Sequence, residues 1–138
     1  MKKFRLTLTL GFLCVAFTMI FAACRRHVEV PPPRTIHYIL YTKEDFAGDN
    51  DTIRFRLRMQ TTGVTGRVLF DSSIAPMRIS EIPDSLHRLQ FTKTVPPGHD
   101  HDLLVVGFVY DIDHVGESWF LDSSLAGASS KTVEYSFR

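Results

Sequence analysis

The sequence predicts an all-β fold: a two-sheet antiparallel sandwich of immunoglobulin-like character with about seven to eight strands. Two observations predict it. From residue 35 onward the apolar side chains recur mainly with a period of two, as they do on half-buried strands. Turn signals rich in Gly, Pro and Asn separate these segments at short intervals, and almost no stretch has the period of a helix.

The strand segments can be placed in order along the chain. The segment 51–60 is the clearest, because four apolar side chains alternate with Arg54, Arg56 and Arg58. The segment 103–112 is apolar on both faces, which predicts a strand at the centre of a sheet. The other candidates are 35–42, 67–70, 77–82, 88–95, 118–121 and 132–137.

The connections between these strands are predicted to be short turns. Gly, Pro, Asp and Asn mark them at 47–50, 62–63, 96–98 and 126–128. Asp84 is expected to cap a brief helical turn over 83–87. The sequence contains no internal repeat, and residues 35–138 are therefore expected to form one β-sandwich domain.

The N-terminus has the three parts of an export signal. Basic residues precede an apolar run over 6–20, and Phe21-Ala22-Ala23-Cys24 closes it. Phe21 is too large for a secretory peptidase, whereas a lipoprotein peptidase accepts a bulky apolar residue there. An uncleaved transmembrane anchor is the alternative, because 6–23 approaches the ~20 residues that a bilayer requires. The small residues before Cys24 favour cleavage and lipidation at that cysteine.

The segment Phe21-Ala22-Ala23-Cys24 resembles a bacterial lipoprotein signal of the Bacteroidetes type. The resemblance implies removal of residues 1–23 and acylation of Cys24 with a diacylglycerol thioether and an amide-linked chain such as palmitate. Arg25 stands where the family places an inner-membrane retention Asp, which implies the outer membrane. Because no acidic run follows the cysteine, the periplasmic face is expected.

The domain after the signal also resembles a family. Ile39-Leu40-Tyr41-Thr42 followed by Asp45-Phe46, and Val106-Gly107-Phe108-Val109-Tyr110 running on to Ser118-Trp119, are similar to segments of small Bacteroidetes lipoproteins. This resemblance implies no activity. Residues 24–34 are expected to be a solvated tether, in which the prolines 31–33 favour an extended conformation that reaches up to ~30 Å.

Composition excludes one class of partner and one means of stabilisation. The chain has 16 basic and 15 acidic residues, and the signal removes three of the basic ones. The mature part, with 13 against 15, is therefore no basic nucleic-acid binder. Of the two cysteines, Cys14 leaves with the signal and Cys24 is acylated, so the domain is expected to be stable without a disulfide.

Two polar segments are weak candidates for metal binding. His99 and His101 point to one side of an extended chain, but a metal site needs further converging ligands, and His87 and His114 are expected at the far ends of strands. The acidic segment 44–51 has oxygen ligands of the kind that calcium takes. We interpret both segments as solvated turns, with no metal or cofactor bound.

Two features are candidate ligand-binding residues. Arg54, Arg56 and Arg58 are ~6.6 Å apart along one strand face, a spacing that suits an extended anionic ligand. Their more common role is pairing with acids on neighbouring strands. Trp119 is a candidate platform for stacking a sugar, although a lone Trp in a sandwich more often fills the core.

The sequence therefore predicts a lipid-anchored, non-enzymatic binding or accessory module of the cell envelope. Interaction with an envelope protein through a sheet face or edge is the favoured role. The alternative is binding of a glycan or anionic ligand at the arginine row and aromatic residues. A metal-dependent enzyme is the third hypothesis, and no Gly-x-Ser-x-Gly, Walker or His-Glu-x-x-His motif occurs.

Overall fold

The computed structural model describes residues 32–63 and 66–138, which form eight strands in two sheets. The strands are β1 (Thr35–Thr42), β2 (Thr52–Thr61), β3 (Val68–Ser73), β4 (Met77–Arg78), β5 (Leu89–Thr94), β6 (Leu104–Ile112), β7 (Gly116–Ser124) and β8 (Ser130–Phe137). This confirms the predicted all-β, two-sheet sandwich. The signal, Cys24 and the tether up to residue 31 lie outside the described residues. Within the described part, no helix has the length and apolarity to cross a bilayer.

The two sheets differ in size and in pairing. The smaller has the order β5-β1-β8, and the larger has the order β3-β2-β6-β7, with β4 also paired to β2. All pairs are antiparallel except β1 and β8, which run parallel from Thr35↔Ser130 to Thr42↔Phe137. The sequence predicts antiparallel pairing, and this pair departs from it. The pattern could not distinguish the two, because a period of two is the same in parallel and antiparallel strands.

Several boundaries differ from the predicted ones, among them the end of β3 at Ser73 and the start of β8 at Ser130. The last residues of β7 are polar and have low strand propensity, yet they pair with β6 as far as Leu104↔Ser124 and extend the strand beyond 118–121. The segment 77–82 is strand only in β4, after which a 3₁₀ helix spans Ile79–Glu81. The segment 83–87 forms a single turn, in which the His87 N–H donates to the Asp84 backbone oxygen (3.2 Å). Asp84 caps it as predicted, because its Oδ1 accepts hydrogen bonds from the N–H groups of Leu86 (2.8 Å) and His87 (2.9 Å).

The core lies between the sheets and is rich in aromatic rings. Alternate residues of β2 are buried, whereas residues 106–109 of β6 are all buried, as the apolar pattern on both faces of that segment predicts. The Phe108 ring lies edge-on to Tyr38 (5.7 Å between centroids) and to Phe55 (6.3 Å). Phe137 of β8 lies 6.0 Å from Phe55 and so ties the smaller sheet to the larger one.

Arg34 belongs to the folded domain and not to the tether, which corrects the boundary predicted at residue 34. Its side chain is 2% exposed. The guanidinium donates hydrogen bonds to the backbone oxygens of Asp100 (3.2 Å), Asp102 (2.7 Å) and Leu125 (2.7 Å). It also donates to both oxygens of Ser124, at 2.9 and 2.7 Å. Arg34 therefore holds the start of β1 against the end of β7 and against the two loops, 95–103 and 125–129, that connect the sheets.

The strand order gives the sandwich two distinct ends. We call the end of the sandwich where β1 begins the Arg34 end. The loops there are 62–67, 95–103 and 125–129. In the first of these loops the structure describes residues 62–63 and 66–67. We call the other the opposite end; its connections are 43–51, 79–88 and 113–115. His87 and His114 lie at the opposite end and His99 and His101 at the Arg34 end, as the strand lengths predict.

Candidate functional site: an arginine face and a tryptophan groove

The outer face of the larger sheet contains the arginine row. The inward residues of β2 are buried, and Arg54, Arg56 and Arg58 therefore point away from the core. The residues beside them on β6 and β7 share this outer face, because directly paired residues in an antiparallel sheet point to the same side. Some of these neighbours are carboxylates. The positive charge that the face presents therefore depends on whether the arginines are paired with them.

Arg54 lies between Asp111, which belongs to β6, and Asp113, which follows it. Its Nη1 is 2.5 Å from Asp113 Oδ1 and 3.6 Å from Asp111 Oδ2. The hydrogen bond to Arg54 lowers the pKa of Asp113, and the same bond raises the pKa of Arg54. Both groups are exposed, so this pair contributes little to stability and serves mainly to occupy the guanidinium.

Arg56 and Arg58 are paired in the same way. Arg58 donates two hydrogen bonds to Asp71 Oδ2 of β3, at 3.2 Å from Nε and 2.7 Å from Nη2. Arg56 lies 3.6 Å from the same carboxylate and also pairs with Glu117 of β7. The expectation that acids on neighbouring strands pair with the row is confirmed, and an anionic ligand would have to displace these carboxylates.

Trp119 lies on this outer face and is 65% exposed. It shares a rung with Arg56 and Val109, as the pairings Arg56↔Val109 and Val109↔Trp119 show. The prediction that a lone Trp fills the core was therefore wrong. Phe120, the next residue, points inward and stacks on Tyr135 of β8, with 4.6 Å between ring centroids. The core position on β7 is thus taken by Phe120, which leaves Trp119 in solvent.

A groove of about 500 Å³ adjoins Trp119, where β7 and β8 lie at the edges of their sheets. We call it the Trp119 groove; it is lined by Tyr41, Trp119, Phe120, Glu134, Tyr135, Ser136 and Arg138. It therefore combines four aromatic rings with a carboxylate, a hydroxyl and a guanidinium. Such a surface can stack an apolar face of a ligand and hydrogen-bond its polar edge.

The walls of the Trp119 groove are held by contacts outside it. Arg88 donates a hydrogen bond to Glu134 Oε1 (3.1 Å), and its guanidinium carbon lies 4.6 Å from the centroid of the Tyr41 ring. The Tyr135 hydroxyl donates to the Tyr110 hydroxyl at 3.1 Å. Burial raises the pKa of Tyr135, so this hydroxyl stays protonated at neutral pH. These contacts fix three lining side chains before any ligand arrives.

A second groove, of about 480 Å³, lies at the Arg34 end. We call it the Arg67 groove; it is lined by Thr61, Thr62, Arg67, His99, Asp102 and Leu103. His99 Nδ1 lies 2.7 Å from Asp102 Oδ2. Within residues 32–63 and 66–138, the structure pairs Arg67 with no carboxylate. Nothing in the sequence joins Arg67 to His99, because the two belong to different loops that only the fold brings together.

The weak metal candidates lie in hydrogen-bonded loops. His101 is exposed, and in the described ranges no group of three or more His, Cys, Asp or Glu side chains converges on one point. In the acidic segment 44–51, Asp45 Oδ1 accepts a hydrogen bond from Ala47 N–H (2.9 Å) and Asp49 Oδ1 accepts one from Asp51 N–H (3.0 Å). These carboxylates therefore organise a turn, as the sequence interpretation expected.

Comparison with known proteins adds no assignment, because no family model, curated protein or solved structure matches this chain. Of the sequence candidates, the fold places the arginine row and Trp119 on one face and His99 at the Arg34 end. Phe120 was a candidate for the stacking platform together with Trp119. The remaining lining residues of the Trp119 groove were missed at the sequence level, because they come from β1, from β8 and from the residue after it, and no local pattern marks the parallel pairing of β1 and β8.

Proposed function

We propose that this protein is a lipid-anchored, non-enzymatic binding module of the cell envelope, held at the periplasmic face of the outer membrane through Cys24. Its partner is a protein that binds at Trp119 and the neighbouring edges of β7 and β8. The observation that carries this proposal is the 65% exposure of Trp119 beside a groove with fixed walls. Exposed Trp residues next to a pocket are frequent anchors of protein interfaces.

The edge of β7 supports the same proposal. Among the described residues, β7 is the terminal strand of the larger sheet, and it pairs with β6 in unbroken register over nine residues. Natural edge strands are commonly protected by lysine, proline, a bulge or an inward-pointing charge. β7 has no lysine, proline or bulge, and its inward-pointing Asp122 is paired with Lys131 of β8. A strand of this kind is suited to accept a partner's extended segment by strand addition.

Replacing Trp119 by alanine should abolish partner binding with little effect on stability. The side chain is mostly exposed, so we expect the free energy of unfolding to fall by less than about 1 kcal/mol. Removal of an interface anchor typically costs about 2 kcal/mol or more of binding free energy, a loss of roughly thirtyfold in affinity. The measurement is co-purification from the native envelope with tagged, lipidated wild type and W119A, each quantified by mass spectrometry, alongside urea unfolding.

The matched control is Thr92→Ala on β5, an exposed strand position that β1 separates from β8. We expect T92A to retain the proteins that wild type retains. A W119A variant that is as stable as wild type and keeps the same partners would contradict the proposed surface.

A glycan is the second candidate ligand, favoured by the lining of the Trp119 groove. Tyr41, Trp119, Phe120 and Tyr135 supply rings for stacking, and Glu134, Ser136 and Arg138 supply polar groups for hydroxyls. This candidate depends on the groove and not on the arginine row, whose guanidiniums are already paired with carboxylates.

The fluorescence of Trp119 tests the glycan candidate directly, because it is the only tryptophan in the chain. Titration with chitohexaose, a neutral sugar, and with an oligogalacturonate, an acidic one, should give a saturable change in emission for at least one of them. Arg138→Gln should weaken binding of the acidic sugar more than that of the neutral one. If the emission is unchanged by both sugars, the glycan candidate is contradicted and protein binding is favoured.

A further inference from the structure

The position of Arg34 determines which end of the sandwich is nearest to the tether. Its buried guanidinium fixes the chain to the backbone of Asp102 and of Ser124, immediately after the prolines 31–33. Residues 24–33 precede it, and ten residues span at most ~30 Å when extended. The chain that leads to Cys24 therefore leaves the domain at the Arg34 end.

This end exposes large apolar side chains. Leu125 is 70% exposed and Leu103 42% exposed, and Val68 at the start of β3 is 47% exposed. Leu125 and Leu103 belong to the β7–β8 and β5–β6 connections and Val68 begins β3, so the three are brought to one end only by the fold. Exposed leucines on loop tips are suited to entering the headgroup region of a bilayer.

The Arg67 groove lies at the same end and has the groups that bind a phosphate. In the described part of the chain Arg67 has no carboxylate partner, in contrast with Arg54, Arg56 and Arg58. Thr61 and Thr62 line the groove with it. The Thr61 hydroxyl accepts a hydrogen bond from the Arg67 N–H (2.9 Å), and the Thr62 hydroxyl donates one to the Leu103 backbone oxygen (3.2 Å). Asp102, the acid of this groove, is held by His99 at 2.7 Å. A guanidinium beside hydroxyls is a common arrangement for a phosphate ligand.

The opposite end is more acidic than the Arg34 end, whose loops contain Arg67 together with Asp100 and Asp102. Its loop 43–51 contains Lys43 and four carboxylates, those of Glu44, Asp45, Asp49 and Asp51. Leu86 and Val115 are also exposed at that end, but each follows an acid by two residues, Asp84 and Asp113 respectively. An anionic membrane surface repels such an end. Charge therefore distinguishes the two ends where apolar exposure alone does not.

We propose that the Arg34 end is a membrane-docking surface, on which Leu103 and Leu125 enter the headgroup region and Arg67 binds a phospholipid phosphate. The proposal rests on the proposed lipid anchor at Cys24, which supplies the proximity. The docked domain then lies against the bilayer and does not stand off at the full length of the tether. The Trp119 groove, on the side of the sandwich, stays open to a partner.

Hydrogen exchange on vesicles tests this docking without relying on native lipidation. The mature chain from residue 24 has a single thiol, Cys24, which can be coupled to a maleimide phospholipid in vesicles of phosphatidylcholine and phosphatidylglycerol. Relative to the uncoupled chain, we expect exchange to slow several-fold over 99–103 and 125–129 and to be unchanged over 43–51 and 113–116. Equal changes at both ends would overturn the proposal.

Two charge variants test whether the slowed exchange depends on a contact between Arg67 and the headgroups or on the anchor alone. Arg67→Gln should reduce the protection over 99–103 several-fold in phosphatidylglycerol vesicles, whereas Arg58→Gln, whose side chain is paired with Asp71, should not. Unchanged protection in R67Q would overturn the phosphate contact. Native acylation of Cys24 is measured separately by mass spectrometry, so failure of the lipid anchor and failure of docking are distinguishable.

Discussion

Replacing Arg34 by alanine should lower the free energy of unfolding by about 3 to 5 kcal/mol. The buried guanidinium donates to five acceptors, four of them backbone oxygens of the loops at the Arg34 end. Water cannot replace these bonds without opening the end of the sandwich, and buried carbonyls without a partner are costly. Urea unfolding of the mature chain, followed by circular dichroism, measures the change.

Two variants control for charge and for position. Arg34→Lys keeps the charge but has no planar fork, so it should recover only part of the loss. Arg58→Ala removes an arginine that is paired on the sheet surface and should cost about 1 kcal/mol or less. If R34A costs no more than R58A, Arg34 does not hold the two sheets together.

Replacing Gly107 by alanine should cost about 3 kcal/mol, at the upper end of the range for overpacking. An added Cβ would lie 2.0 Å from the backbone oxygen of Phe120 and 2.9 Å from Leu121 Cα. Both are backbone atoms of β7, so no side chain can move aside, and β6 and β7 must separate. Because Trp119 lies on the displaced strand, its fluorescence emission should change together with stability.

Gly48→Ala is the matched control for this glycine. Gly48 has a φ of +93° in the β1–β2 loop, and nothing lies within 4 Å of an added Cβ there. Its cost is that of the left-handed conformation alone, about 1 to 2 kcal/mol. A G107A variant that loses no more stability than G48A would show that β6 and β7 tolerate a side chain at their point of closest approach.

The strands themselves were predictable because burial on one face leaves a period of two in the sequence. In β2 the apolar side chains face the core and the arginines face solvent, so the prediction for 51–60 differs from the strand by one residue. The sequence also indicated that acids on neighbouring strands would pair with the arginine row. Their identity was not indicated, because Asp71, Asp113 and Glu117 come from three separate parts of the chain.

Trp119 shows where the period of two is insufficient. Ser118 to Leu121 places apolar side chains on both faces of β7, so the pattern does not determine which face is buried. The pairing with β6 decides it by turning Phe120 inward. Arg34 is a similar case: one arginine after three prolines resembles a solvated tether, and only the fold brings carbonyls of distant loops around it.

The central claim is that a partner covers Trp119 in the cell envelope, and photo-crosslinking in intact cells tests it most directly. A benzoylphenylalanine placed at position 138, which lines the Trp119 groove and leaves Trp119 in place, should give a discrete crosslinked protein band, whereas the same residue at position 92 should give none. W119A expressed in excess should not compete for this band, but wild type should. Equal crosslinking at positions 138 and 92, or none at 138 in a correctly lipidated protein, would contradict the claim.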